Sequence, residues 1–221
     1  MKRQVLDPGG PLGRELVVIK MLAAKPHANI VQSFGALYDR SFRGDSEVAR
    51  KLLTGDKRKE CKGLVGIPME MADFSLRSWL RRRGQDLGSK QCIAARFDLD
   101  MVPRCAADIC EGVAHMHRLG LMHRDLKPDN VIGFLSPGCG PTLKIADFGS
   151  ARAYKHICDA LPLADDNSSL STDVCTFWYA AVELLLGDHE FSKKVDIWSI
   201  GRIIGELMIA RIKCVRLQQG M

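Results

Sequence analysis

Residues 121–130, LMHRDLKPDN, concentrate a histidine, two cations, two aspartates, an asparagine and a proline in a chain that is 46% hydrophobic overall. A solvated loop is the simplest interpretation, because Asp, Asn and Pro are typical turn residues. The neighbouring segments favour a more specific one. A helical pattern over 97–119 ends at Gly120, and two short apolar segments, 131–134 and 143–151, follow around a turn rich in Pro and Gly. The order predicts a helix, a polar loop and a small hairpin.

The hairpin brings the polar loop close to another carboxylate. Asp125 and Asn130 are five residues apart in the loop, and Asp147 follows where the return strand ends. Because the two ends of a hairpin meet in space, we expect these three side chains to converge on one small volume. Carboxylate and amide oxygens suit a hard cation such as Mg²⁺, which takes the rest of its shell from water and phosphates.

Four motifs share their order and spacing with one known family. HRDLKPDN (123–130) and DFG (147–149) resemble the catalytic and metal-binding loops of eukaryotic protein kinases. TFWYAAVELLLG (176–187) and VDIWSIG (195–201) are similar to the end of the activation segment and the central helix of the cyclin-dependent and mitogen-activated kinase group. The resemblance covers most of 1–207. It implies an α+β, bilobal kinase fold with a mostly helical C-lobe.

The resemblance implies a role for each residue of the candidate site. Asp125 would accept the proton of a substrate hydroxyl, and Lys127 would offset negative charge on the transferred phosphoryl group. Asn130 and Asp147 would hold Mg²⁺. Such a site transfers the γ-phosphate of ATP mainly by positioning and fixed positive charge. Within this family, Lys127 favours serine and threonine over tyrosine as substrates.

The same resemblance implies residues that contact ATP. Lys2 and Glu15 stand where active kinases carry an ion pair that positions the ATP phosphates. Met69, Glu70 and Met71 stand in the hinge that precedes the catalytic loop in kinases. All five are therefore expected to bind the cofactor.

Three further residues are expected to have structural roles. His123 and Phe148 would be members of the apolar core and not catalytic groups. Asp196 would anchor the backbone of the polar loop.

Phosphorylation is the expected form of regulation. Arg124 would face the activation segment, where a phosphate could pair with it and order the segment. Ser171 stands where cyclin-dependent kinases carry their activating phosphate. Thr172, Ser168 and Ser169 are close enough to be alternatives.

The sequence departs from the family pattern near both ends. A glycine-rich hairpin is not found before Lys2, and the sequence stops where a kinase continues through several more helices. We therefore expect one incomplete kinase domain. Its partial N-lobe would span 1–72 with a surface insertion at about 39–62, and its partial C-lobe would span 73–221.

These departures leave two functions open. The intact polar loop and Asp147 favour an ATP- and Mg²⁺-dependent serine/threonine kinase similar to the cyclin-dependent kinases. The absent hairpin and the absent C-terminal helices favour a catalytically impaired module that binds partners. Val182 in place of a proline and Ala180 in place of an arginine would affect substrate docking beside Asp125. Nucleic-acid binding through the run Arg81 to Arg83 has only charge to support it, because aromatic residues are not interleaved there.

The composition of the chain limits its expected cellular compartment and its expected partners. The chain has 221 residues, a formal net charge of +6 and eight cysteines without a CxxC pair. Scattered cysteines are typical of free thiols in a reducing compartment, and a signal segment or long apolar run is not found. We expect a cytoplasmic or nuclear protein with a protein substrate and a cyclin-like or other activating partner. Nucleic-acid and membrane partners are not expected.

Overall fold

A computed structural model describes residues 11–35, 37–38, 64–82, 101–136, 140–154, 177–187 and 192–218. Lys2, Ser168, Ser169, Ser171 and Thr172 lie outside the described residues, as does the insertion predicted at about 39–62. The predictions for these positions stay predictions.

Helices and short strands occur in separate groups along the described chain. The helices are α1 (Pro11–Ala24), α2 (Leu76–Arg82), α3 (Met101–Arg118), α4 (Val182–Leu185) and α5 (Lys194–Gln218), with a 3-10 turn at Pro128–Asn130. The strands are β1 (Leu37–Tyr38), β2 (Leu64–Gly66), β3 (Phe74–Ser75), β4 (Leu121–Met122), β5 (Val131–Phe134), β6 (Thr142–Ile145) and β7 (Arg152–Ala153). The fold is α+β, as the sequence predicts.

Helix α1 forms where the spacing of Leu12, Leu16, Ile19 and Ala23 predicts an amphipathic helix. Leu16, Ile19 and Leu22 recur three residues apart and are buried on one face. The helix ends before Pro26, which lacks the N–H that a further turn needs.

Helix α3 leads directly into the polar loop. Its buried face includes Ile109, Val113 and Met116, which are at most 1% exposed. Gly120 follows with a φ of 80°, a left-handed conformation that glycine adopts at low cost at the end of a helix. The helix predicted over 97–119 is confirmed from Met101 to Arg118, while 97–100 lie outside the described residues. Its glycine cap is also confirmed, and the chain reverses into β4 at Leu121.

The predicted hairpin is also present. β5 and β6 pair antiparallel, with Val131 opposite Ile145 and Phe134 opposite Thr142. β3 pairs with the other edge of β5, which gives a three-stranded sheet. The return strand therefore ends at Ile145, two residues before Asp147.

The sequence NIVQSFGALY (29–38) predicts a short strand, and the structure differs from this prediction in its extent. Ile30 bridges Ile145 in parallel and Ser33 bridges Met69 antiparallel, but the pairing of β1 with β2 begins only at Leu37. The hydrogen bonds explain the difference, because Val31 donates its N–H to the carbonyl of Ile145 at 3.0 Å. Residues 29–31 therefore attach to the end of β6 instead of forming a ladder with 64–69.

One hydrophobic core joins α1, α3, α5 and the three-stranded sheet. Its fully buried members include Val18, Ile109, Ile145 and Ile203. The core therefore packs the residues that precede Asp147 against three helices. Among the described helices, none combines the length and the apolar character that crossing a membrane requires.

Candidate active site

The buried carboxylate of Asp196, which is 0% exposed, binds the backbone of the polar loop at 121–130. Its Oδ2 accepts from the backbone N–H of His123 at 2.9 Å, and its Oδ1 accepts from that of Arg124 at 2.8 Å. His117 Nε2 lies 2.8 Å from Asp196 Oδ2. These contacts agree with the anchoring role predicted for Asp196.

Arg124 has a left-handed backbone conformation, with a φ of 70°. A non-glycine residue in this region costs about 1–3 kcal/mol and persists where its surroundings determine it. Here the surroundings are the hydrogen bond to Asp196 and the burial of Arg124, which is 8% exposed. This backbone conformation determines the direction of the chain at Asp125, the next residue of the loop.

His123 and Phe148 are both buried, as predicted. Their rings lie 5.8 Å apart, and His123 Nε2 is 3.0 Å from the carbonyl of Ala146. These contacts join the polar loop to the residues around Asp147.

The two carboxylate oxygens of Asp125 have different surroundings. Oδ2 accepts from Lys127 Nζ at 2.9 Å and from Asn130 Nδ2 at 3.3 Å. The same Asn130 Nδ2 donates to the carbonyl of Asp125 at 2.8 Å. Oδ1 is buried and has no hydrogen-bond partner among the described residues. Because a buried acceptor without a donor is costly, Oδ1 is a candidate for binding a hydroxyl group from outside the chain.

Asp147 lies directly beside the loop. The N–H of Ala146 donates to the carbonyl of Asn130 at 2.9 Å, which places Asp147 next to Asn130. Asp147 has a φ of 62°, so a second non-glycine residue of the site is left-handed. The structure thus brings together the loop residues and Asp147, as the hairpin argument predicts.

Glu15 on α1 faces the same region. The pKa of its carboxyl group is raised because the group is partly buried and because Asp147 carries a like charge. A side chain added at Gly149 would place its Cβ 3.4 Å from Asp147 Oδ1 and 4.0 Å from Glu15 Oε2. The two carboxylates therefore flank Gly149 and would both be stabilised by a cation between them.

The predicted hinge residues lie in a separate segment that borders β6. Met69 is half-buried, Met71 is 93% exposed, and Glu70 pairs with Lys144 on β6. Lys144 was not identified in the sequence. A lysine between Leu143 and Ile145 looks like an ordinary polar position of an alternating strand.

Sequence reasoning also missed a cluster around Arg77 on α2. Arg77 donates from Nε to Asp129 at 3.1 Å and from a terminal nitrogen to the hydroxyl of Tyr179 at 2.7 Å. Tyr179 in turn donates to Glu206 on α5 at 2.6 Å. Burial and the neighbouring Glu206 carboxylate raise the pKa of Tyr179 to about 12. These four residues are far apart in sequence, so no local pattern indicates the cluster.

The comparisons with known proteins agree with this geometry. Residues 11–219 match the family described as "Protein kinase domain". The chain belongs to the protein kinase family. Cyclin-dependent kinase B2-1 of Oryza sativa subsp. japonica is 34% identical over 169 residues, which are 76% of this chain and 46% of the relative.

Other similar proteins belong to the same group. A probable cell division protein kinase of Encephalitozoon cuniculi is 35% identical over 126 residues, 57% of this chain and 36% of the relative. Cyclin-dependent kinase 8 of Drosophila melanogaster is 40% identical over 119 residues, 54% of this chain and 24% of the relative. The chain therefore spans less than half the length of these three relatives. The resemblance to the cyclin-dependent kinase group is confirmed.

Proposed function

We propose that the chain carries the phosphotransfer site of a serine/threonine protein kinase similar to the cyclin-dependent kinases. The observation that supports this most strongly is the asymmetric environment of Asp125. One carboxylate oxygen is held by Lys127 and Asn130, while the other is buried without a donor among the described residues. A substrate hydroxyl would supply the missing donor.

The candidate oxygen ligands among the described residues fit a magnesium ion better than a softer metal. Within the described ranges, no cluster of three or more His, Cys, Asp or Glu side chains could hold a metal ion. The proposed ligands are instead one carboxylate, Asp147, and one amide, Asn130. Mg²⁺ accepts few protein ligands because it keeps several waters and binds phosphate oxygens. The like charges of Glu15 and Asp147 further favour a cation there.

ATP would supply the γ-phosphoryl group and leave as ADP, and Mg²⁺ held by Asn130 and Asp147 would neutralise part of the phosphate charge. The residues of this chain would orient and stabilise the reacting atoms. Asp125 would accept a hydrogen bond from the attacking hydroxyl and then its proton. Lys127, whose Nζ is already 2.9 Å from Asp125, would place positive charge beside the transferred group. Lys2, outside the described residues, is proposed as the partner of Glu15.

Regulation and partners are proposed from the family alone. A phosphate on Ser171 or Thr172 would be received by Arg124, and a cyclin-like protein is a candidate activator. The proposed substrate is a protein with serine or threonine hydroxyls, in the cytoplasm or the nucleus. The division into partial lobes over 1–72 and 73–221 belongs to the same proposal.

A phosphotransfer assay tests the proposed function. The chain is incubated with labelled ATP, Mg²⁺ and a library of serine- and threonine-containing peptides, beside the variants Asp147→Asn and Glu111→Gln. Asp147→Asn should lower the rate by about 10²–10³, because it removes a preorganised charge of the site. Glu111→Gln is the matched control, since Glu111 is an exposed carboxylate on α3, and it should keep the rate. A rate for the unaltered chain no higher than that of Asp147→Asn would contradict the proposal.

The alternative function, a kinase-like module that binds partners without catalysis, is favoured by one observation. Large apolar side chains are exposed at Trp178, Leu186, Ile197 and Trp198, which lie on or next to α4 and α5. Exposed apolar surface of this kind is typical of protein contacts. Peptide phosphorylation that depends on Asp147 would exclude this alternative.

A further inference from the structure

Two histidine rings stack where the loop after α1 meets the last turn of α3. The ring centroids of His27 and His115 are 4.7 Å apart, and the ring planes differ by 25°. Both side chains are half-buried, so protons from the solvent reach them. His27 belongs to the loop that follows Ala24, and His115 belongs to α3. The stack therefore joins two elements through groups of a type that titrates near neutral pH.

The hydrogen bonds assign the proton in each ring. The Nδ1 atom of His27 accepts from the backbone N–H of Asn29 at 3.2 Å, so this atom carries no proton. The Nε2 atom of His115 lies 2.8 Å from the carbonyl oxygen of Lys25, which only accepts, so this atom carries the proton. Both rings therefore fit the neutral form. A second proton would occupy the accepting nitrogen of His27, whereas on His115 it would leave the contact with Lys25 intact.

The charges around the pair oppose a second proton on His27. The titratable groups that face it from α3 are His115, Arg118 and Glu111, and the exposed Lys25 adds a positive charge in its own loop. Partial burial lowers the pKa of His27, and the neighbouring His115 and Arg118 lower it further, while Glu111 acts in the opposite direction. The folded chain thus favours the neutral ring.

The loop that carries His27 connects α1 with β6. Asn29 accepts at its carbonyl from the N–H of Ile145 at 2.9 Å, and it donates from Nδ2 to the carbonyl of Leu143 at 2.9 Å. On the other side, the loop continues directly from α1, the helix that carries Glu15. His27 stands between these two attachments. A change in its contacts therefore acts on the connection between the helix and the strand that precedes Asp147.

We propose that His27 and His115 form an acid-sensitive latch that attaches the end of α1 to α3. Above pH 6.5, the ordinary pKa of a histidine, the neutral rings stack and His27 accepts from Asn29. As the pH falls through the lowered pKa of His27, the new proton displaces the N–H of Asn29 and places positive charge beside Arg118. The stabilisation contributed by the neutral ring is then lost. The inference does not depend on phosphotransfer, because it concerns contacts of the ligand-free chain.

Nuclear magnetic resonance of the full chain between pH 7.5 and pH 5.5 tests the latch. The ring signals of His27 report its protonation, and hydrogen exchange at the amide of Asn29, corrected for the intrinsic rate, reports closure of the latch. Protection of the Asn29 amide should fall at least about threefold over this interval, with the same midpoint as the protonation of His27. The amide of Asp73, which donates to the carbonyl of Gly133 at 3.0 Å, is the internal control and should keep its protection.

Three substitutions separate the latch from a general effect of acid. His27→Asn keeps an oxygen acceptor for the N–H of Asn29 but does not take up a proton, so the protection should become independent of pH. Arg118→Gln should raise the midpoint of His27 protonation and Glu111→Gln should lower it, because these changes remove charges of opposite sign from exposed positions on α3.

An unchanged fall in protection in the folded His27→Asn variant would overturn the inference. Midpoints that do not move in opposite directions in Arg118→Gln and Glu111→Gln would overturn it as well. If circular dichroism shows that His27→Asn does not fold, the two α3 variants decide the question, because both keep the histidine pair.

Discussion

At the scale of single residues, the site contains side chains that lack a hydrogen-bond partner or lie beside a like charge. Asp125 has one oxygen satisfied by Lys127 and one buried oxygen without a donor among the described residues. Glu15 and Asp147 bring two like charges together. Such groups reduce the stability of the folded chain and favour binding of a ligand that supplies the missing partners.

Glu15 gives a stability prediction with a defined pH dependence. Its pKa is raised above the ordinary value of 4.5, so the folded chain favours the protonated carboxyl group. The stabilisation from this group is fully present below about pH 4.5 and is lost as the pH rises through the raised pKa. At pH 7, with the proposed Lys2–Glu15 pair removed from both chains by Lys2→Met, Glu15→Gln should therefore increase the free energy of unfolding by roughly 0.5 kcal/mol after solvent screening.

Urea denaturation of the ligand-free chain at pH 7 and at pH 4 measures this effect. The gain from Glu15→Gln should shrink at pH 4, where the natural side chain is itself largely protonated. Glu111→Gln, at an exposed position of α3, should show no comparable gain at either pH. A gain of equal size at both pH values would show that charge is not the cause.

At the scale of elements, periodic apolar patterns predict the helices and the hairpin, but they do not predict which distant segments pair with each other. The helices α1 and α3 and the hairpin β5–β6 follow from spacing, a proline stop and a glycine cap, which are local signals. The composition of residues 29–38 predicts a short strand. Its pairing with Ile145 depends on a contact more than a hundred residues away, which no local pattern contains.

Gly112 on α3 packs against the contact between residues 29–31 and Ile145, and it gives a prediction for the packing of elements. An added Cβ would lie 2.5 Å from the backbone carbonyl oxygen of Asn29 and 2.9 Å from Ile145 Cγ1. The neighbouring backbone is fixed, because Asn29 donates from Nδ2 to the carbonyl of Leu143 at 2.9 Å. Gly112→Ala should therefore lower the free energy of unfolding by about 1–3 kcal/mol through overpacking.

Gly205→Ala is the matched control for this substitution. Gly205 lies within α5, and an added Cβ would have no neighbour within 4 Å. This change should be neutral or stabilising by up to about 1 kcal/mol, because alanine favours helix over glycine. Equal stability of the two variants in guanidinium denaturation would exclude the close approach as the reason for glycine at 112.

At the scale of the whole molecule, the sequence predicts which candidate residues lie close together where a motif spans a few residues. Asp125, Lys127 and Asn130 stand in one short motif and are joined by hydrogen bonds, and Asp147 in a second motif lies next to Asn130, while their chemical roles stay predictions. The Glu70–Lys144 pair is separated by 74 residues, and the Arg77 cluster connects α2, the 3-10 turn, α5 and the segment before α4. Contacts of this kind arise only from tertiary packing, and they hold the motifs in place.

Tyr179 reports the integrity of the Arg77 cluster through its titration. Its hydroxyl accepts from Arg77 and donates to Glu206, and its pKa is raised from 10.0 to about 12. Because the raised pKa favours the protonated phenol in the folded chain, this stabilisation is fully present below pH 10. It is lost as the pH rises towards about 12. Arg77 stays charged over this pH range, so its own ionisation does not contribute to the pH dependence of stability.

The comparison of the natural chain with Tyr179→Phe isolates this contribution. At pH 8 the natural chain should be more stable by about 1–2 kcal/mol, since the variant loses hydrogen bonds to charged groups. The difference should decrease between pH 10 and pH 12, measured as the free energy of unfolding in urea with tyrosinate absorbance at 295 nm as the titration signal. A difference that stays constant over this interval would show that the phenol does not link α2 to α5, because a solvated tyrosine ionises equally in the folded and unfolded chain.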